Sequence, residues 1–478
     1  HETDLTQGLL TVLRQNLLTG TKEGCASGDC GACTVLVARD GVVQTVNSCI
    51  TPTGAVLDAG VLTVEGVAQD NLLHPVQKHM VAQHGSQCGF CTPGFVMSMV
   101  GGLLEDAAEM QHRTSAVHTI SGNLCRCTGY RPIIAALQEA SGDPQLEAAQ
   151  AHLGWLYAIE NTQQRSASYI RPTSLDELLQ ACQSLAEHAE EGLLVAGTTD
   201  AWLPVNRDYV DYRYVVDMSM VDELAQIEDV GGELVLGANV SHARLQQYFG
   251  EKPHHCEAIR AMLRRFGSPQ IRNRGTLGGN IAGASPIADW PPVLLALDAR
   301  VKLIDFSGRS RSLPLSEFFL DYKQTRRRPD ELITAVAFKI PPDWSALQVF
   351  KITKREEDDI SSLLGAFYLE LDDPRQTITN CRIAFGGMAA VPVRIAPLEQ
   401  VLTGLPVAEL NESRVDGLLR QLAEHLHPIT DARATAAYRL EVAGNLLAKV
   451  LRGIKSSSEL SLTDLSLETL YPLPGVAE

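Results

Sequence analysis

Eight of the eleven cysteines in this 478-residue chain fall into two groups in its first third, and no other feature restricts the possible folds as much. The first group is Cys25, Cys30, Cys33 and Cys49, with four residues between the first two thiols and two between the next. That C-x4-C-x2-C…C spacing ligates a two-iron cluster, the fourth thiol arriving from farther along the chain. The second group is a pair of pairs, Cys88-Gly89-Phe90-Cys91 and Cys125-Arg126-Cys127. A C-x-x-C pair alone is compatible with a redox disulfide or half of a zinc site. Following the first quartet, the two pairs point to a second metal centre, and two centres in one chain point to electron transfer.

The sequence around each quartet suits an inorganic core. Gly24, Gly28 and Gly31 alternate with Cys25, Cys30 and Cys33, and glycines let a backbone curl and turn its N–H groups toward sulfur. Such donors stabilise an anionic cluster and tune its potential. Thr34–Ala38 and Val42–Val46 around Asp40-Gly41 read as a hairpin that carries Cys49 just beyond its second strand. Upstream, leucines 9, 10, 13 and 17 predict a helix within residues 5–18, with Gly20 as its stop. Around the second quartet, Pro75 opens a helix ending near His84-Gly85, Thr92-Pro93 opens one through Leu104, and Arg131-Pro132 opens one closed by Gly142. Both thiol pairs thus sit beside helix N-termini, whose partial positive charge favours an anionic cluster. A structural zinc site of four thiolates competes for this quartet, although zinc ribbons favour two C-x-x-C knuckles over a C-x-C.

Composition narrows the partners. A net charge of −17 repels nucleic-acid phosphates and anionic lipid, so neither is expected as a partner. Arg326-Arg327-Arg328 beside Pro329 reads as a solvated loop. No window approaches the ~20 apolar residues of a membrane span and no signal peptide is visible, so the expectation is a soluble, cytoplasmic protein. Open thiols in a reducing compartment then favour metal ligation over disulfides. Cys182, on the stripe Leu175, Leu178, Leu179, reads as a small core residue. The chain starts at His1 and enters a helical pattern almost at once, so something upstream is expected to be missing.

Residues 143–167 read as an alanine-rich connector, helical around His152 to Ile159. Ser174-Leu175-Asp176-Glu177 predicts a capping box. Strand Leu193–Ala196 leads into Gly197-Thr198-Thr199-Asp200, and a second small-residue loop, Gly275 to Pro286, follows a helix around Ile259, Met262, Leu263 and Phe266. Such loops allow close backbone approach to a pyrophosphate. No G-x-G-x-x-G follows a strand, which argues against a Rossmann site. Beyond Pro342, strand runs such as Ala366–Leu371 alternate with helical ones such as Val415–Leu426.

On these residues the chain resembles the molybdenum hydroxylases, the family of xanthine dehydrogenases, aldehyde oxidases and carbon monoxide dehydrogenases. Glu23-Gly24-Cys25 through Cys33-Thr34 is similar to the family's plant-type ferredoxin-like β-grasp domain, although the hairpin that opens that fold is not seen before Leu9. Gln87-Cys88-Gly89-Phe90-Cys91-Thr92-Pro93-Gly94 and Gly122-Asn123-Leu124-Cys125-Arg126-Cys127-Thr128-Gly129-Tyr130-Arg131-Pro132 resemble its helical iron–sulfur domain. The resemblance implies a 2Fe-2S cluster on Cys88, Cys91, Cys125 and Cys127, with Gln87 and the C-x-C loop nearest the molybdopterin. Val195–Asp200 and Thr276–Ser285 are similar to the two FAD-binding loops of the family's flavin domain. That implies FAD contacts at Val195, Ala196, Gly197, Thr198, Thr199, Asp200, Thr276, Gly279, Asn280 and Ser285, by main chain at Thr198, where relatives often carry glycine or asparagine. Asp289 and the helix after Pro291-Pro292 continue the flavin region. Phe350-Lys351 and Arg355–Ile360 resemble a further segment in which the aspartate aligned with Asp359 contacts flavin. Phe385–Met388, Asp431–Arg433 and Tyr438-Arg439 resemble a C-terminal subdomain packed on the flavin domain.

The resemblance runs from Thr21 to about Arg452 and implies a multidomain α+β chain. The expected order is a ferredoxin-like domain (1–72), an all-α helical-bundle 2Fe-2S domain (73–150), a linker (151–168), an FAD-binding domain of the carbon monoxide dehydrogenase flavoprotein type (169–345) and a C-terminal α+β subdomain (346–478). It resembles the small iron–sulfur/FAD subunit of bacterial xanthine dehydrogenases. The implied role is to carry electrons from molybdopterin in a large partner subunit through two 2Fe-2S clusters to FAD and on to NAD, as hypoxanthine or xanthine becomes urate. A heterotetramer of two small and two large subunits is implied, and no residue of this chain is assigned as catalytic. Aldehyde- or N-heterocycle-oxidising relatives, oxygen as acceptor, and a zinc-stabilised module without redox activity remain as alternatives.

Overall fold

The turn Asp40-Gly41 sets the first sheet, because both residues adopt positive φ (49° and 75°), as a tight hairpin requires. Thr34–Arg39 pairs antiparallel with Val42–Asn47 on one side and with Gly60–Leu62 on the other. Alternate residues of a strand face opposite ways. Leu36 and Ala38 therefore join Phe95, Met99 and Leu103 of the helix Thr92–Asp106 in one core. Val35 faces the other way, toward Leu9, Leu13 and Val56. The cysteine-rich sheet and the helices Pro75–Ala82, Thr92–Asp106 and Arg131–Ser141 thus bury apolar surface together. This computed structural model describes residues 4–68, 72–159, 166–188, 190–251, 253–372 and 376–455.

Two local expectations shift. The first helix is only Leu9–Gln15, and the chain leaves it through Leu17 at φ 65°, short of Gly20. Within the expected connector, Leu146–His152 is helical and continues as a 3-10 helix to Ala158. Its Leu146, Leu153 and Leu156 are buried in the core of the helical unit, which is why the segment orders before residue 159. Residues 160–165 of that connector lie outside the described residues.

The next unit holds a parallel sheet (Tyr169–Ile170, Tyr214–Asp217, Gly192–Val195) beside a five-stranded antiparallel one. The latter runs in the order Ser310–Pro314, Arg300–Asp305, Glu331–Lys339, Glu233–Gly237, Ile227–Val230. The helix Leu175–Ala186 starts as expected at Ser174, whose hydroxyl accepts from Glu177 N. The reciprocal half of the capping box moves by one residue, since Glu177 accepts from Thr173 N. The last unit is a four-stranded antiparallel sheet, Leu347–Ile352, Leu363–Leu371, Ile378–Gly386 and Val393–Arg394. One face shares a core with the preceding unit through Leu364, Ala366 and Ala384; the other packs on the helices Glu412–Glu424 and Ala436–Lys455. Among the described residues, no helix is long and apolar enough to cross a membrane.

Candidate functional site

The loop before Thr34 folds around one sulfur. Positive φ at Ala26 (55°) and Gly28 (82°) turns the main chain inward, so the N–H groups of Ser27, Asp29 and Cys30 donate to Cys25 Sγ at 3.4, 3.3 and 3.3 Å. The thiols of Cys30 and Cys49 also bond to it and, with those donors, hold Cys25 well below the ordinary thiol range against the opposing effect of burial. Cys49, in the 3-10 turn Ser48–Ile50, touches Cys33 as well, and its proton is held tightly by the flanking sulfurs of Cys25 and Cys33. The four sulfurs form one chain of contacts, Cys30–Cys25–Cys49–Cys33, with Cys33 and Cys49 buried.

The second quartet lies at the surface: Cys88 and Cys127 are exposed, Cys91 is half-buried and Cys125 buried. Cys91 stands immediately before the helix Thr92–Asp106. Its thiol bonds that of Cys125, and Cys88 bonds Cys127, so each contact joins one C-x-x-C sulfur to one C-x-C sulfur. Burial pushes the Cys125 thiol up, but the Thr128 hydroxyl (3.2 Å) and N–H (3.4 Å) outweigh it and leave Cys125 lowered. Tyr130, at a strained φ of 68°, accepts from Cys125 N at 3.0 Å and packs edge-on against Phe95.

The quartets are joined directly. Leu124, the residue before Cys125, donates its N–H to the carbonyl of Cys30 at 3.0 Å. Such close approach needs a bare Gly31: at φ 65° it has no room for Cβ, which would lie 2.2 Å from the Gly122 carbonyl.

The flavin-type loops meet behind the first quartet. A Cβ at Gly197 would lie 1.9 Å from the carbonyl oxygen of Arg274, so the strand-end loop Val195–Asp200 abuts the start of the second loop. Val195 is buried, Ala196 and Thr199 half-buried, and Asp200 exposed. Thr198, at φ 65°, spends its hydroxyl on the carbonyls of Ile50 and Gly197 (2.9 and 2.6 Å), which leaves its main chain for any ligand. In the second loop Thr276 Oγ1 accepts from Gly279 N at 3.1 Å and caps the short helix Leu277–Ala282. Gly279 and Gly283 are exposed, Ser285 is half-buried at the loop's end, and Asn280 Oδ1 is buried without a partner. Asp359 sits apart from both loops in sequence and folds on its own turn, accepting from Arg355 N (2.9 Å) and Ile360 N (3.0 Å).

Asn206 gave no sequence signal, whereas Asp289, Lys351 and Asp358 lie in segments already read as flavin-type. Asn206 Nδ2 donates to the carbonyls of both Ala26 and Cys49 at 2.8 Å, tying the flavin-type unit to the first thiol loop. Lys351 and Asp289 form a buried ion pair at 2.5 Å, with Ser361 donating to the second carboxylate oxygen at 2.6 Å. Asp358, beside the expected Asp359, is pushed up to about 7 by burial and by the charge of Asp29.

The donor sets can be tested against the groups that the sequence implies. Four thiols joined in a chain of contacts in the first quartet and in two pairs in the second, met by main-chain N–H donors, fit thiolate ligation of a two-iron cluster. A tetrahedral zinc would instead need all four around one ion. The glycine-lined loops, with an orphaned buried acceptor at Asn280, fit a ligand that brings hydrogen-bond donors, as the hydroxyls and adenine amine of FAD do.

Comparison with known proteins agrees in order. Residues 63–138 match a [2Fe-2S] binding domain, 162–342 the FAD binding domain in molybdopterin dehydrogenase, and 348–454 the CO dehydrogenase flavoprotein C-terminal domain. Xanthine dehydrogenase of Drosophila subobscura is 32% identical, over 94% of this chain and 38% of its own. That of Oryza sativa subsp. japonica is 30% identical, over 83% and 34%. The chain therefore spans little more than a third of these relatives. Two solved structures share the fold: a chain of the Cu,Mo-CO dehydrogenase (TM-score 0.53, 24% identity, 61% of this chain and 98% of that one) and one of quinoline 2-oxidoreductase from Pseudomonas putida 86 (0.52, 24%, 62% and 100%). This chain belongs to the iron–sulfur- and FAD-binding molybdenum hydroxylase family.

Proposed function

We propose that the chain is the electron-transfer part of a xanthine dehydrogenase, equivalent to the small subunit of the bacterial enzymes. It would pass electrons from the molybdopterin centre of a large partner subunit through two 2Fe-2S clusters to FAD and on to NAD, in a heterotetramer of two small and two large subunits. Cys88, Cys91, Cys125 and Cys127 would hold the cluster nearer the partner, and Cys25, Cys30, Cys33 and Cys49 the one nearer the flavin. Val195–Asp200, Thr276, Gly279, Asn280, Ser285 and Asp359 would hold FAD. When bound, the flavin converts one-electron arrivals into a two-electron departure; the protein positions and tunes it.

The observation that carries this reading is the order of contacts. A thiol quartet that reaches the surface at Cys88 and Cys127, flanked by exposed Phe90 and Leu124, bonds through Leu124 N to the Cys30 carbonyl of the more deeply set quartet. The deeper quartet in turn bonds to the flavin-type unit through Asn206 and Thr198. An open entry, a shielded middle and a nucleotide-type end form the sequence of stations that a relay between two chains needs.

The test is iron, acid-labile sulfide and FAD analysis of the pure chain, followed by xanthine-dependent NADH formation with the partner subunit. Four irons, one FAD and NADH formation that is lost in Cys125→Ser with FAD retained are expected. Absence of iron or sulfide refutes the relay. Clusters and FAD present, but activity with aldehydes or N-heterocycles instead of xanthine, would move the assignment to another molybdenum hydroxylase.

A further inference from the structure

Where the two thiol-bearing units and the flavin-type unit meet, four polar side chains are shut away from water: Thr34 (2% exposed), Ser98 (1%), Asn123 (2%) and Gln270 (1%). Buried polar atoms are costly unless bonded, and here most of the bonds cross between segments far apart in the chain. Gln270, on the short helix Pro269–Arg274, directs its amide nitrogen to Thr34 Oγ1 (3.1 Å), Ser98 Oγ (3.0 Å) and Asn123 Oδ1 (3.4 Å). Asn123 Nδ2 donates to the carbonyl of Gly31 at 3.0 Å. Thr34 lies one residue after Cys33, and Asn123 two residues before Cys125.

Proton counting fixes which way the Gln270 amide points. The Thr34 hydroxyl donates to the Gly31 carbonyl (2.7 Å) and the Ser98 hydroxyl to Asn123 Oδ1 (2.6 Å), so both protons are committed. Both oxygens then offer only lone pairs, and the residue between them must donate. Gln270 Oε1 faces the other way and has no partner; a Cβ at Gly122 would lie 2.2 Å from it. A side chain that leaves its own acceptor unsatisfied in order to donate into a three-way junction is held there by what the junction gains.

We propose that Gln270 is a positioning residue that locks the flavin-type unit onto both thiol loops at once and so sets the gaps that electrons cross. It touches neither a cluster ligand side chain nor the flavin-type loops in the geometry described, and acts through Thr34, Ser98 and Asn123. The inference rests on the relay proposed above. Its chemical signature is a need for a donor. Gln270→Glu has the same shape: protonated, it can donate one hydrogen bond into the junction; ionised, it turns a carboxylate toward three acceptors. A carboxyl buried so deeply titrates well above the normal range, near pH 8–9 in documented cases.

The experiment uses the whole chain, loaded with iron and FAD, and follows two readouts. One is the magnetic coupling between the two reduced clusters in the electron paramagnetic resonance spectrum. The other is the rate at which clusters reduced by a photochemical donor reduce the flavin. Gln270→Leu is expected to weaken the coupling and slow the transfer about tenfold or more at every pH, since misplacement by about 1 Å can cost up to ~100-fold. Gln270→Glu is expected to match the native protein at pH 6 and Gln270→Leu at pH 9.5, with iron and FAD content unchanged. Native rates and coupling in both variants at all pH values overturn the lock, and so does a Gln270→Glu deficit that does not recover at pH 6. If clusters in the native protein never reduce its flavin, the relay itself fails, which the native control alone reveals.

Discussion

Replacing Asp358 by asparagine should stabilise the protein in alkali and leave it unchanged in acid. Burial and the neighbouring charge of Asp29 raise this carboxyl from 3.8 to about 7, although Arg272, Arg355 and Lys351 pull the other way. The native state therefore keeps a proton that the unfolded chain gives up near pH 4. That proton's contribution to stability is fully present below about pH 4, declines as the pH rises, and is gone above pH 7. At about 1.4 kcal/mol per pH unit, a rise of roughly three units corresponds to about 4 kcal/mol, and partial solvent contact reduces it to about 2–4 kcal/mol. Asparagine imitates the protonated carboxyl at every pH, so Asp358→Asn should gain that amount at pH 8.5 and only about a quarter of it at pH 4.5. The assay is a series of thermal melts of both proteins between pH 4.5 and 9, at matched iron and FAD content. Each gap in melting temperature is converted with the unfolding entropy measured in the same scans. A gap that stays flat across the series, or that narrows as pH rises, would refute the view that this carboxylate is uncomfortable in its setting.

Two further outcomes follow from close contacts. Gly197→Ala should cost about 1–3 kcal/mol and release FAD while iron stays bound, because the added methyl would meet the Arg274 carbonyl at 1.9 Å; flavin absorbance and iron analysis of the purified variant check it. Lys351→Met should destabilise by about 3–5 kcal/mol, since Asp289 is left as a buried carboxylate with only Ser361. In thermal melts the double variant Lys351→Met/Asp289→Asn should recover most of that loss.

How much of this was legible beforehand depended on whether the information was local. Thiol spacing is local: ligands on one loop must lie within a few residues of each other, so Cys25, Cys30 and Cys33 announce their loop, and the chain brings their sulfurs into contact with Cys49. Hairpin and helix starts were legible for the same reason, in Asp40-Gly41, in Pro75 and in Ser174. Helix ends were less so. Leucine periodicity carried the first helix to residue 18, but the chain breaks it after Gln15, at Asn16, and leaves through the exposed Leu17. The connector's helical stretch around His152 was legible, but its burial was not, because an alanine-rich polar stretch looks solvated until three leucines, 146, 153 and 156, find a neighbouring core. Nothing marked Asn206 or Gln270. Each is a lone amide on a short helix whose partners lie 147 to 236 positions away, and side-chain chemistry alone does not name a partner at that distance.

That division of labour has a physical basis. Apolar contact is non-directional and tolerates sliding, so the shared cores can hold neighbouring units together without fixing their register closely. Hydrogen bonds require a particular distance and angle. At the three-unit junction the bonds that reach the thiol loops are of this kind: Leu124 N to the Cys30 carbonyl, Asn206 to the Ala26 and Cys49 carbonyls, Thr198 to the Ile50 carbonyl. Most of their acceptors are main-chain atoms within a residue of an expected ligand, so movement of a neighbouring unit is transmitted to the sulfurs themselves. In the proposed relay, a cluster-to-cluster gap maintained this way would depend on how the units dock as much as on the loops. For that reason substitutions such as Gln270→Glu, far from any thiol in sequence, are expected to change transfer while iron content stays the same.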